Sequence, residues 1–169
     1  TFSSFKERYI QKKGSPKDIK FICMDMSVPF RAGARKQFPK AKIIFDKFHV
    51  IKVLNKQLDK VRNRENKRYH EILTRTKYLF LKNPMNLTEK EKTRLDELMG
   101  YQHLETVQSY GMLLEFKKIF DYKRPSYATK FFKRWYKKVM KSNIIDHIIC
   151  EIAENSYFKF DERIIHFYA

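Results

Sequence analysis

The sequence predicts an α+β fold that is mostly α-helical, in which a short βαβ unit is followed by a bundle of helices. Two short runs, Ile19 to Asp25 and Ala41 to Asp46, are largely apolar up to their final aspartate and contain the β-branched and aromatic residues typical of buried strands. Beyond residue 49 the apolar residues recur at steps of three and four, which is the spacing of one face of a helix. Only 4 glycines and 5 prolines occur in 169 residues, and so few turn formers favour long helices.

The first 61 residues are predicted to form one unit with the order helix, strand, helix, strand, helix. Helical spacing of apolar residues predicts the first helix over Phe2 to Lys13, and Gly14-Ser15-Pro16 ends it. Ser27 is predicted to cap the helix between the strands, which has Pro29 in its first turn and ends at Phe38-Pro39. Strands joined by a helix pair in parallel with a right-handed crossover, so the carboxyl ends of both strands meet at one edge of the sheet.

Residues 62–169 are predicted to form an all-helical domain. The helix that starts near His49 continues to about Leu81, either unbroken or with a break near Asn63 to Asn66. A capping box formed by Thr88 and Glu91 predicts the start of the next helix. The other predicted segments are Thr88 to Met99 (closed by Gly100), Tyr101 to Phe120, a helix capped by Ser126 that runs to Met140, Ile144 to Asn155, and Phe160 to Tyr168 as helix or extended chain.

The composition indicates a globular protein with a polyanionic partner. A hydrophobic fraction of 43% is enough for a packed core. The net charge is +18, from 37 basic and 19 acidic residues, and nucleic acid is the usual partner of such an excess. The alternative is a basic protein without such a partner. No apolar run approaches the roughly 20 residues that span a bilayer, so we expect no membrane partner.

The cysteines and the chain ends point to a cytoplasmic fragment. Cys23 is predicted to be buried in a strand and Cys150 to lie in a helix, and without a CxxC pair they argue against a zinc site. Free thiols fit a reducing cytosol. Thr1 leads into charged, helix-like sequence, so no secretory signal is predicted. The chain lacks an initiator Met and begins and ends in predicted secondary structure, which we interpret as a fragment of a longer protein.

Asp25 is the strongest candidate for chemistry. It ends an apolar strand, where a carboxylate must be solvated, paired or bound to metal. Asp46 ends the second strand, so the two carboxylates are predicted at the same edge, where open α/β sheets bind ligands. Paired carboxylates can hold a divalent metal ion. The alternative is that Asp25 caps the helix that follows, and spacing alone does not decide between these roles.

Asp46 and His49 form a D-x-x-H pair where the second strand meets the long helix. At this spacing the carboxylate can bind one imidazole nitrogen and fix the tautomer of the histidine. Asp46 is equally suited to cap the helix. We therefore expect this pair to support the site rather than to react directly.

Two basic segments are candidates for phosphate binding. Lys52, Asn55, Asp59 and Arg62 share one face of the long helix, although Asp59 and Arg62 could form only a local pair. Between Lys117 and Lys141 ten basic residues accompany one acidic residue, and the aromatic residues among them are expected in the core. Solvated helix surfaces are the alternative. The candidates are Lys52, Arg62, Arg64, Lys67, Arg68, Lys133, Arg134, Lys137 and Lys138.

The segment from Met24 to Arg62 resembles the transposases of the ISL3 family. It contains, in order, D-M-S, F-P-x-A, D-x-F-H-V-x-K and N-x-x-x-D-x-x-R. The resemblance implies a DDE transposase with an RNase H-like core, in which three carboxylates bind two Mg²⁺ (or Mn²⁺) ions for attack on DNA phosphodiesters. Asp25 matches the second acid of that triad, and Asp46 with His49 matches the supporting D-x-x-H element.

The resemblance also implies what this chain lacks. The first aspartate of the family lies on an earlier strand, and its glutamate lies in a Glu-Gly-x-Asn motif that does not occur here; Glu151, Glu154 and Glu162 do not match it. The helices after Arg62 then correspond to an all-helical insertion domain. We expect a fragment that is inactive by itself, from a homo-oligomeric, nucleoid-associated bacterial enzyme that binds transposon ends.

Two other interpretations remain open. One is a non-enzymatic, basic helical module that binds nucleic acid or regulates another protein, with Asp25 only a cap. The other, a receiver-like α/β domain, is disfavoured because no strand follows Asp46. Without the strands that precede it in the family, the two-stranded parallel sheet leaves the outer edge of the first strand open, and we predict an intermolecular contact or poor order there.

Overall fold

The computed structural model describes residues 1–25 and 27–144. The fold is α+β and mostly α-helical, as predicted. In the described residues no helix combines the length and the apolar character needed to cross a bilayer. The strands are β1 (Phe21–Met24) and β2 (Lys42–Phe45), and the helices are α1 (Phe2–Gln11), α2 (Val28–Gln37), α3 (Lys47–Asn66), α4 (His70–Leu73), α5 (Lys77–Leu81), α6 (Glu89–Met99), α7 (Glu105–Lys117) and α8 (Pro125–Ser142), with 3-10 turns at Pro84–Asn86 and Lys118–Asp121.

The two strands form a parallel sheet, and α2 connects them. The register pairs Phe21 with Lys42 and Met24 with Phe45. Side chains alternate between the faces of a strand, so residues paired in register lie on the same face. Met24 is buried on one face, whereas Cys23 on the other face is exposed although its register partner Ile44 has an exposure of only 1%. The prediction of a buried Cys23 was therefore wrong, because β1 is an edge strand of the described sheet and Cys23 lies at its open edge.

The outer edge of β1 has no strand partner among the described residues. The predicted intermolecular contact at this edge concerns a second chain, so it stays a prediction. The ring of Phe38, at the end of α2, lies 6.4 Å from that of Phe2 and 5.9 Å from that of Phe5, centroid to centroid. These contacts attach α1 to the end of α2.

The long helical segment predicted from His49 to Leu81 is divided, as the broken alternative anticipated. α3 ends at Asn66, and a further interruption between α4 and α5 occurs at Arg75, which has a positive φ of 58°. In α3, Leu54, Leu58 and Val61 recur at steps of four and three residues and are buried. The apolar periodicity therefore predicted the buried face of α3 correctly, but it did not reveal the turns between α3, α4 and α5.

Two helix starts test the predicted caps. The Thr88–Glu91 capping box is present at the start of α6, as predicted. α8 begins at Pro125 with Arg124 in the cap position, so the prediction that Ser126 caps it was wrong; proline with its fixed φ occupies the first turn instead. The predicted segments after residue 144, together with Cys150, lie outside the described residues.

The start of α7 depends on a residue from another helix. It begins at Glu105 rather than Tyr101, and Leu104 in the cap position has no side-chain acceptor. The carboxylate of Glu65 in α3 accepts hydrogen bonds from the backbone N–H groups of Glu105 and Thr106, both at 2.8 Å. These bonds satisfy donors that a helix start otherwise leaves unpaired, and they fix α7 to the end of α3.

The main core lies in the helical part of the chain, where α3 packs against α7 and α7 packs against α8. The ring of Trp135 in α8 lies 4.8 Å from that of Phe116 in α7, and its indole N–H donates to the Met112 carbonyl at 2.8 Å. The bond satisfies the only polar group of the buried indole. The core thus contains Phe131, Phe132 and Trp135 of α8, as predicted, whereas Tyr127 of the same helix is exposed.

Candidate active site

The carboxyl ends of β1 and β2 form a rim that carries both strand-end aspartates. The backbone N–H of Asp46 donates to the Met24 carbonyl at 2.9 Å, which continues the ladder beyond the last paired residues of the strands. Asp25 directly follows Met24, so Asp25 and Asp46 lie on neighbouring strands at the same edge. The geometry agrees with the arrangement expected for a parallel sheet.

Asp25 has a local structural contact as well as access to ligands. Its Oδ1 accepts a hydrogen bond from the Ser27 N–H at 2.9 Å, just before α2, while the Ser27 side chain makes no capping bond. This contact supports the cap alternative. However, it uses a single carboxylate oxygen, and the residue is only half-buried. The cap and a metal-ligand role are therefore compatible at this position.

Asp25 lines an open hollow with a volume of about 370 Å³. The other lining residues are apolar or weakly polar: Phe2, Cys23, Met24 and Phe30. Because the hollow is open and Asp25 is only half-buried, both water and a cation can reach the carboxylate.

Asp46 has both of its carboxylate oxygens engaged. Oδ1 accepts from the Phe48 N–H at 2.9 Å and caps α3, while Oδ2 lies 3.0 Å from Nδ1 of His49. The backbone hydrogen bond from Phe48 lowers the pKa of Asp46, and the hydrogen bond and charge of His49 lower it further. Asp46 therefore remains ionised, and it holds the imidazole with Nε2 directed away from the contact.

The rim alone is not a complete metal site. Among the residues that the structure describes, no group of three or more His, Cys, Asp or Glu side chains could hold a metal ion. Mg²⁺ requires several oxygen ligands, and this edge offers the second oxygen of Asp25 and the already engaged carboxylate of Asp46. Asp25 fits a metal ion as one ligand among several, and the other ligands must come from elsewhere.

The sequence comparisons identify the family. The profile of the DDE transposases of the ISL3 family matches residues 1–156. The chain belongs to this transposase family. It is 30% identical over 139 residues to the transposase for insertion sequence element IS1001 of Bordetella parapertussis, a match that covers 78% of this chain and 34% of that protein. The chain thus spans about a third of the length of its curated relative. No solved structure matches the chain.

The basic candidates of this transposase chain on α3 and directly after it have different environments. Lys52 and Lys67 are exposed, and Arg68 lies over the ring of Tyr69 at 5.3 Å. Arg64 is exposed but forms an ion pair with Glu105. These residues do not form one continuous face of free cations.

Arg62 differs most from the expectation of a surface cation. Its exposure is 8%, and its Nε donates to Asp59 at 2.9 Å. Asp59 also lies 3.4 Å from the ammonium of Lys77 in α5. Arg62 therefore belongs to a largely buried ion pair beside the helix packing, where it cannot contact a phosphate without leaving Asp59, and we exclude it from the basic surface.

On α8 the predicted cations are more accessible. Lys133, Arg134 and Lys137 are exposed, whereas Lys138 pairs with Glu115 of α7 at 2.6 Å.

Sequence reasoning missed Glu65, because a side chain that caps a distant helix leaves no local pattern. It also omitted Lys130 and Lys141 of α8, although their spacing of three and four residues from Lys133 and Lys137 was visible in the sequence.

Proposed function

We propose that this chain is part of a DDE transposase that cleaves DNA strands and transfers them to a target in a metal-dependent reaction. The observation that carries the proposal is the position of Asp25: in a chain of this family, it lies at the carboxyl edge of a parallel sheet with one oxygen not used by the local cap. Transposon ends are the proposed DNA substrate, and divalent metal, Mg²⁺ or Mn²⁺, is the proposed cofactor.

In this mechanism Asp25 would be one of several residues that hold a divalent metal ion. The metal would supply Lewis-acid chemistry for the displacement at a DNA phosphodiester. Asp46 acts indirectly: its carboxylate caps α3 and orients His49, so the imidazole keeps one tautomer beside the rim. The Ser27 N–H donates to Oδ1 of Asp25 and holds this side chain in place at the rim.

The isolated chain is proposed to be inactive. Two strand-end carboxylates, one of them fully hydrogen-bonded, are too few ligands for two-metal catalysis. The relative is about three times as long as the segment it shares with this chain, so there is room for the missing acidic residues in a protein of that length. Assembly with further subunits and with the bacterial nucleoid belongs to this same proposal.

Asp25→Asn in the full-length protein tests the metal-ligand role. The amide oxygen of asparagine can still accept from the Ser27 N–H, so the substitution removes the charge while keeping the local hydrogen bond. We expect strand cleavage and strand transfer to be lost, with unchanged DNA affinity and thermal stability. Asp96→Asn, on the exposed surface of α6, is the matched control and should retain full activity.

The competing function is a basic helical module without catalysis, and the Asp25–Ser27 hydrogen bond favours it by giving Asp25 a structural role. Under this alternative Asp25→Asn is silent in every assay, because the cap survives. Retention of strand transfer by the Asp25→Asn protein would refute the metal-ligand role.

A further inference from the structure

We infer that α8 is a docking surface for duplex DNA, which it holds through the phosphate backbone along one line of four lysines. These are Lys130, Lys133, Lys137 and Lys141. The inference rests on the proposed function, since it names the form of DNA and the element that binds it. The line is separate from the rim that carries Asp25.

The orientation of α8 is fixed by its inner face. This face is formed by buried side chains, whose exposures are 0% for Ala128, 8% for Phe131, 2% for Trp135 and 1% for Val139. Trp135 adds a hydrogen bond to the Met112 carbonyl of α7. A helix anchored by this many buried contacts presents its opposite face to solvent in one defined direction.

The four lysines occupy that opposite face. They follow one another at steps of three, four and four residues, which places them within an arc of roughly 80° and along about 16 Å of the helix axis. All four are exposed. Over the same distance along a duplex, one DNA strand presents about five phosphates. The number and spacing of the ammonium groups therefore suit a phosphate backbone.

The charges of these lysines are not neutralised within the part of the chain that the structure describes. None of the four makes an ion pair there. The adjacent Lys138 provides the contrast, because Glu115 of α7 accepts from it at 2.6 Å. Four like charges at this spacing repel one another, and binding of a polyanion relieves that repulsion while releasing counterions.

The chemistry of the line favours backbone contact over base reading. Lysine acts as a point charge, whereas base edges are read mainly by arginine, asparagine or glutamine in bidentate geometry. Binding is therefore expected to be independent of sequence. A membrane surface fits less well, since the apolar face that an interfacial helix would insert is already buried against α7.

The test is the salt dependence of duplex binding by the full-length protein. In the test variant all four lysines are replaced by glutamine. The control variant replaces four other lysines by glutamine, so both variants lose the same charge. These lysines are exposed outside α8: Lys12, Lys56, Lys60 and Lys90. The probe is a short duplex of random sequence, titrated between about 50 and 200 mM salt.

We expect the slope of log affinity against log salt to fall by about 3 to 4 in the α8 variant, at roughly 0.9 per phosphate contact, and by less than about 1 in the control. Equal slopes in the two variants would overturn the inference, as would a loss of self-association in the α8 variant with normal duplex binding. These outcomes are independent of the Asp25→Asn assay, so either proposal can fail while the other stands.

Discussion

The first 49 residues and residues 50–144 are stabilised in different ways. In the first region the buried apolar side chains are Met24, Ala34, Phe38 and Ile44, and every other buried apolar residue of the described chain belongs to the second. The first region instead exposes large apolar groups, with Phe48 at 72%, Val28 at 58%, Phe30 at 56% and Phe21 at 46%. The helical region therefore supplies most of the core, which Met24 and Ala34 of the first region join, while other large apolar groups of the first region stay exposed.

The largest difference between the two regions is expected in the free energy of unfolding that is lost when an aromatic side chain is truncated. Trp135→Ala removes the ring that packs on Phe116 and leaves the Met112 carbonyl without its donor, so we expect a loss of about 3–5 kcal/mol in the free energy of unfolding. Phe48→Ala should change it by less than about 0.5 kcal/mol. Urea denaturation of both variants measures the two values, and similar losses would contradict the comparison.

The buried ion pair of α3 allows a comparison of a buried and an exposed cation within the helical region. Arg62→Ala leaves Asp59 with only the longer contact to Lys77, and we expect a cost of about 1.5–3 kcal/mol because a largely buried carboxylate loses a charged hydrogen bond. Lys52→Ala, on the exposed part of the same helix, should be nearly neutral. Equal stabilities of the two variants would place Arg62 among the surface cations after all.

The smallest expected effect is on the pH dependence of stability, and it comes from Asp46 in the first region. The lowered pKa of Asp46 means that its ionised form stabilises the fold at pH values above its unfolded pKa of about 3.9, and that this contribution is lost as pH falls through the lower folded value. Asp46→Asn keeps an acceptor for the Phe48 N–H and should flatten the dependence of stability on pH below about 4. Thermal unfolding across this pH range measures the dependence of stability on pH. If its slope is the same in Asp46→Asn and in the unmodified protein, Asp46 is not the source of this dependence.

The sequence predicted those features that have a local cause. Strand patterns, the Thr88–Glu91 capping box and the aromatic core of α8 each follow from neighbouring residues, and each is present. Features that depend on distant contacts were not predicted. Cys23 is exposed because β1 has no strand partner on its outer edge among the described residues, and Arg62 is withdrawn from the surface by Asp59. The roles of Asp25, Asp46 and His49 remain predictions, and so does a domain boundary at residue 61, which falls within α3.

A single helix connects the rim to the helical region. α3 contains neither glycine nor proline, and its 20 residues extend about 30 Å. Its first turn is capped by the carboxylate that orients the imidazole of His49, and near its last turn Glu65 binds the beginning of α7. Because one helix carries both contacts, we expect a movement of α7 relative to the sheet to displace His49 as well.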